Sequence, residues 1–390
     1  MIAAVISTAV HLGRWRVRPP AVVAVVGAGN VGCALAADLS LRGVQVRLCT
    51  RSEARLQPIR NAGALTVTGA VNGIVPISML TTDLHQAVEG AQIIAVTVPT
   101  PALPHYAAAL VAATTSEQLL WLNPGHSGGA LYLAAQFRRA QDETERRICQ
   151  LSTASHGCRM TNPTTVGVFR LASAALAAFP ARHLTECHQQ LDALLPGQFS
   201  TAGSVLELDL MNINAVMHPA QMVGNASWIE ATGGDFAIYQ EGTGPGVARM
   251  IEAVDAERLA LAHRLGVPAT PFVELMYRSG FTTADAAGTG RVHRVMQAGE
   301  PIRAVKAPPT LDHRYLHEDV GWGLVPWMEL ARAAHLATPT MAALTHLASV
   351  VNDIDYRREG LTLEKMGLDG MRPDNILDYV RSGHASRRVP

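Results

Sequence analysis

A run of β-branched residues, Val22-Val23-Ala24-Val25-Val26, leads directly into Gly27-Ala28-Gly29-Asn30-Val31-Gly32 and then into a stretch rich in alanine and leucine. No other feature of the chain restricts its fold as much. A continuous apolar run suits a strand buried on both faces of a parallel sheet. The glycines keep the spacing G-x-G-x-x-G in a strand–turn–helix context. Gly27 permits the tight turn, Gly29 lets the backbone approach a pyrophosphate, and Gly32 lets the helix pack close to the strand. The helix N-terminus then turns unpaired N–H groups toward the phosphates. The pattern predicts a Rossmann dinucleotide site built from Gly27, Ala28, Gly29, Asn30, Val31 and Gly32. A βα turn without ligand is the alternative.

The second strand, expected over 44–49, bears on which dinucleotide. An NAD site usually ends this strand with Asp or Glu to hold the ribose 2′-hydroxyl. Here Thr50 stands at that place, followed by Arg51, Ser52 and, one turn on, Arg55. No carboxylate repels a 2′-phosphate, and two guanidiniums can bind one. NADPH is therefore expected over NADH, although Glu53 can still serve a ribose and both arginines can be solvated surface charges. The 93–98 segment reads as another buried strand ended by Pro99. Its C-terminal loop places Thr97 and Pro99 at the nicotinamide end. A strand over 119–122 leads into a second glycine-rich loop from Asn123 to Gly129, which can face the nicotinamide ribose or a substrate carboxylate and adds Asn123 to the cofactor candidates; a plain turn with an N-cap is the alternative, and His126 in that loop is not read as catalytic. Strands over 64–68 and 74–80 flank an Asn72-Gly73 hairpin turn. Strands over 148–154 and 165–169 extend the sheet, and a helix is expected over 182–194.

The 390 residues are long enough for two domains with separate cores. The 32 basic and 32 acidic residues balance, and no basic block suggests nucleic acid. Cysteines 33, 49, 149, 158 and 187 lack metal-like spacing and read as reduced thiols of a cytoplasmic protein. Residues 1–10 are apolar but too short to span a bilayer, and Arg14, Arg16 and Arg18 follow them in the wrong order for a signal peptide. The expected division is an extension over 1–20, an α/β Rossmann domain over 21–200 and an all-α domain over 201–390. No membrane partner and no metal site are expected.

From Ser204 onward the strand signals stop. Helices are expected over 205–231, 246–265, 270–278, 327–336 and 340–350. Asn212, Asn214, His218 and Pro219 fall in the first of these. Asn214 and His218 are four apart and share a face; Pro219 disturbs the turn before it and opens room for an imidazole to project into a cleft. Farther on, Asp319 can orient an imidazole and Arg314 can bind a carboxylate bidentately. Surface roles for both are the alternative.

These residues carry a resemblance. Asn212-x-Asn214-x-x-x-His218-Pro219, Phe236-x-x-Tyr239-x-Glu241-Gly242, Asp255-x-Glu257-Arg258, Arg314-Tyr315-Leu316-x-Glu318-Asp319-Val320, Gly323-Leu324-Val325-Pro326 and the ending from Gly360 to Leu368 together resemble the octopine/nopaline (opine) dehydrogenases. The likeness runs from Val22 to about Val380. It implies reductive condensation of an amino acid amine with a 2-oxo acid, of the pyruvate or 2-oxoglutarate type, using NAD(P)H. It also implies His218 as acid/base group, Asp319 as its partner, Arg314 on the oxo acid carboxylate and Asn214 ordering substrate, with Asn212 and Arg159 as further substrate-binding candidates. Where many members carry Tyr before the Cys-Arg pair, this chain has His156-Gly157-Cys158-Arg159, so amine specificity does not carry over. Arg51 and Arg55 resemble the NADPH-using branch that makes metallophore opines from large amines built on histidine. Two other readings compete: a ketopantoate-type reductase, disfavoured because Lys306 and Lys365 are the only lysines, and a non-catalytic NADP-binding sensor. A homodimer through the helical domain is a further expectation.

Overall fold

The computed structural model describes residues 22–384 apart from 126 and 143. The expectations on the 1–20 extension and on His126 fall outside the described residues. The first half is built on an eight-stranded sheet. In spatial order its strands are Phe199–Thr201, Ala174–Phe179, Arg147–Leu151, Leu119–Leu122, Ile93–Val96, Val22–Val26, Gln45–Cys49 and Met79–Thr81. All neighbouring pairs are parallel except Ala174–Phe179 against Arg147–Leu151. The central strands are buried along their length, which is why they read as unbroken apolar runs. The Val22–Val26 strand lies between Gln45–Cys49 and Ile93–Val96. The chain order reverses there, and the crevice beyond the carboxyl ends of these strands is where such sheets bind ligands.

A second, four-stranded sheet differs from the expected layout. The Leu65–Gly69 and Gly73–Val75 strands form the Asn72-Gly73 hairpin, but the chain then leaves this sheet and Met79–Thr81 joins the large one. Thr165–Leu171 does not extend the main sheet. It pairs with Leu65–Gly69 and, antiparallel, with His156–Asn162. Its alternating burial marks a half-solvated strand.

After Thr201 the described chain is helical apart from a single bridge between Ala237 and Lys306. The helix expected over 205–231 is three: Val205–Asp209, Ile213–Gly224 and Ala226–Thr232. The first break has a local cause. The Asn212 side chain accepts from the backbone N–H groups of Asn214 and Ala215 and so caps a new helix. Much of the Asp255-x-Glu257-Arg258 motif is scaffold. Arg258 is buried, paired to Asp255, and donates to the carbonyls of Leu210 and Thr270. Glu257 accepts from the first N–H groups of the Pro339–Asn352 helix. These bonds tie the long Pro245–Arg264 helix to the segment that begins the Asn212 turn and to the helix behind it.

Candidate active site

The nucleotide end rests on backbone geometry. Gly27 sits at φ +114, and a Cβ on Gly32 would stand 1.7 Å from the Gly27 carbonyl oxygen, so neither position accepts a side chain. Gly29 has nothing within 4 Å of where its Cβ would lie. The loop is thus closed on its protein side and open in front of the Asn30–Leu41 helix, which fits a pyrophosphate on the helix N-terminus. Thr97 is committed to holding this loop, donating to the carbonyls of Val26 and Gly27 at 3.0 Å. Asn30 accepts from the Met160 N–H at 2.9 Å and so fastens the second sheet to the loop.

Beyond the second strand, Thr50 is buried and Arg51, Ser52 and Arg55 follow at the start of the Glu53–Ala62 helix. Arg51 lies over the Tyr106 ring at 5.0 Å, and Arg55 lines a cavity of about 270 Å³ with Ala28, Pro58, Met160 and Asn162. Glu53 is paired with Arg60 at 3.1 Å. Pro99 is exposed at the end of the Ile93–Val96 loop.

Asn123, at the start of the second glycine-rich loop, is fully buried; its amide nitrogen donates to Ser155 Oγ at 2.7 Å and its carbonyl accepts from the Ser155 N–H at 2.9 Å. The network continues from Ser155 to His156 Nδ1 at 2.8 Å and from His156 Nε2 to Asp38 at 3.1 Å. The side chain of Asn123 therefore helps brace the sheet against the Asn30–Leu41 helix. His156, at the place where the resemblance leads one to expect Tyr, is an internal member of this brace.

The second cluster lies on the helical half. His218 projects from the Ile213–Gly224 helix and is 3% exposed. Its Nδ1 is 2.7 Å from Asp319, and its Nε2 is 2.9 Å from the Tyr239 hydroxyl. Tyr315 stacks on the imidazole with centroids 3.6 Å apart and planes at 12°. Asp319 reaches this place because a π-helical turn, Val320–Leu324, begins just after it and packs against the Ile213–Gly224 helix. Gly323 makes that packing possible, since a Cβ there would lie 2.6 Å from the Ala215 Cβ. Burial, and after it the Arg314 guanidinium, hold His218 well below the usual histidine range. The pair at rest is a neutral imidazole donating from Nδ1 to the Asp319 carboxylate, which leaves the lone pair on Nε2. Burial pushes the Tyr239 phenol well above its ordinary range. Arg314 pairs with Glu318 at 2.9 Å, and its side chain is 57% exposed.

Asn214, one turn before His218, lines a cleft of about 460 Å³ between the two halves, together with Ser152, Arg170, Glu207, Arg278 and Phe281. Asn212 and Arg159 do not join His218. Besides capping its helix, Asn212 donates to Ser127 at 3.2 Å and is buried. Arg159 is exposed on the His156–Asn162 strand, on the glycine-loop side of the molecule. Tyr239 and Tyr315 have no role that residue type alone predicts; both stand in the family-like motifs, and the adjacency of Tyr315 to Arg314 is the signal for them in the sequence.

The α-helical domain of NAD/NADP octopine/nopaline dehydrogenase matches residues 201–352, and the N-terminus of NAD-dependent glycerol-3-phosphate dehydrogenase matches residues 22–168. An opine dehydrogenase from Arthrobacter sp. (strain 1C) is 36% identical over 364 residues, covering 92% of this chain and 98% of the relative. The structure of an octopine dehydrogenase in complex with NADH and agmatine superposes with a TM-score of 0.75 at 20% identity, over 91% of this chain and 97% of the other. A yersinopine dehydrogenase with NADP+ bound gives 0.72 at 17% identity, over 93% and 98%. Both share the fold of a parallel-sheet Rossmann domain followed by an α-helical domain. Similarity of this extent to the Arthrobacter enzyme places the chain in the opine dehydrogenase family, NAD(P)-dependent oxidoreductases acting on the CH–NH bond.

Proposed function

We propose that the chain joins the amine of an amino acid to a 2-oxo acid and reduces the resulting imine with NADPH, using His218 and Asp319 as its acid/base pair. The buried His218–Asp319 contact of 2.7 Å carries this reading. The neutral imidazole is the final acceptor of a proton lost by the substrate ammonium, and that loss frees the nitrogen lone pair to attack the oxo carbon. Asp319 stabilises the imidazolium that results. The same proton then goes to the hydroxyl of the carbinolamine, which leaves as water while the nitrogen lone pair forms the C=N bond. Bound NADPH supplies the hydride that reduces the imine carbon. Arg314, one residue from the ring stacked on His218, holds the oxo acid carboxylate. Asn214 orders the amine in the cleft.

The NADPH preference rests on Arg51 and Arg55 as ligands of a 2′-phosphate, on Thr50 in place of a carboxylate, and on Glu53 being held by Arg60. Solved relatives carry either NADH or NADP+, so the side chains of this chain are the argument.

The test is oxidation of NADPH and of NADH, followed by absorbance, with pyruvate, 2-oxoglutarate or glyoxylate, each with and without a panel of amino acids. Oxidation that requires both amine and oxo acid, and is faster with NADPH, is expected. Oxidation with the oxo acid alone marks a simple reductase and refutes the condensation. His218→Gln and Asp319→Asn are expected to lower turnover by roughly 10²–10⁴-fold with NADPH binding nearly unchanged.

A further inference from the structure

The His218 imidazole has no free edge. Nδ1 is bonded to Asp319, Nε2 to the Tyr239 hydroxyl, and one face is covered by the Tyr315 ring. A substrate cannot reach Nε2 while Tyr239 holds it. The hydrogen bonds continue outward, because the Tyr239 hydroxyl lies 3.1 Å from the Tyr315 hydroxyl. Exposure rises along the same line: His218 is 3% exposed, Tyr239 is 7% exposed and Tyr315 is half-buried. With the His218 lone pair on Nε2, Tyr239 donates to the imidazole and Tyr315 can donate to Tyr239.

We infer that the hydroxyls of Tyr239 and Tyr315 form a proton wire that carries the acid/base action of His218 out to the reacting substrate. This rests on the His218–Asp319 reading above. In the inward direction the substrate ammonium gives a proton to the Tyr315 oxygen, Tyr315 gives its own to Tyr239, and Tyr239 gives its own to His218 Nε2. In the outward direction each proton moves back one place, and the last protonates the carbinolamine hydroxyl. Its C–O bond then breaks with the electron pair on the departing water. No phenolate accumulates, so a phenol that resists ionisation serves. Each hydroxyl both donates and accepts, which is the property a carboxylate or ammonium in the same place would lack.

Phenylalanine keeps both rings and removes only the hydroxyls. In the pyruvate or 2-oxoglutarate assay, run with the fastest amino acid of the panel, Tyr239→Phe and Tyr315→Phe are each expected to lower kcat at least about tenfold. The KM for the oxo acid and the dissociation constant for NADPH should stay within about twofold. In mixtures of light and heavy water, the parent's rate should fall along a curve, as when several protons move together, and the variants' rates along a straight line. Either variant turning over within about twofold of the parent overturns the wire. So does a Tyr239→Phe chain with raised kcat and lowered KM, because Tyr239 is then a plug that substrate pushes aside. If Tyr239→Phe fails to bind NADPH, Tyr315→Phe alone decides, since its ring stack is intact. An inactive His218→Gln beside fully active phenylalanine variants removes only the wire. A fully active His218→Gln, or no turnover with any pair, removes the functional reading as well.

Discussion

Asp209 is a carboxyl group sealed between the two halves of the molecule, and it makes stability depend on pH in a direction opposite to most acidic residues. It lies in the Val205–Asp209 helix, is 3% exposed, accepts from Gln150 Nε2 at 2.7 Å, and receives the backbone N–H of Gly128. Two neutral donors do not offset the loss of hydration, so burial pushes the carboxyl from 3.8 up to about 7. A folded-state value above the unfolded one means that the stability contributed is fully present below pH 3.8 and is lost as pH rises through 7. At 1.36 kcal/mol per pKa unit, the loss between pH 5 and pH 8 is roughly 2–3 kcal/mol. Asp209→Asn removes the titration and keeps an acceptor for Gln150. Urea denaturation of both proteins at pH 5 and pH 8 checks this. The variant should gain roughly 2–3 kcal/mol relative to the parent on going from the lower to the higher pH. The constant offset from altered hydrogen bonding cancels in that comparison, as do all other titrating groups. A difference between the two proteins that is equal at both pH values refutes the reasoning.

Two further outcomes follow from the packing. Arg258→Met should destabilise the chain by about 3–5 kcal/mol, because Asp255 is then a buried carboxylate without its cation; a loss under about 1 kcal/mol in a denaturation experiment contradicts this. Gly323→Ala should cost about 1–3 kcal/mol and lower turnover together, because the new methyl meets Ala215 at 2.6 Å and the π-helical turn carrying Asp319 must shift. Stability lost with turnover retained would separate the packing from the placement of Asp319.

Periodicity and glycine spacing determined the nucleotide half. The Val22–Val26 run and the Gly27–Gly32 loop specify strand, turn and helix through neighbours in sequence, and such local constraints are legible without a fold. The same holds for the helices Pro245–Arg264 and Pro339–Asn352, which the structure reproduces to within a few residues of expectation. The family resemblance implied His218 and Asp319 as a pair, and they meet although 101 residues separate them. What pattern did not decide was which polar groups are already engaged. Asn123 and Asn212 carry the right chemistry for a site, yet one braces a sheet and the other caps a helix. Thr165–Leu171 reads as a strand in sequence, but only its partners decide which sheet receives it. Tyr239 and Tyr315 gain their place from hydrogen bonds and ring contacts across three separate segments. A hydrogen bond between distant residues leaves no periodic trace, because it depends on where two backbones arrive and not on the spacing within either. Local order is therefore written along the chain, and the assignment of each polar atom to its partner is made by the tertiary packing.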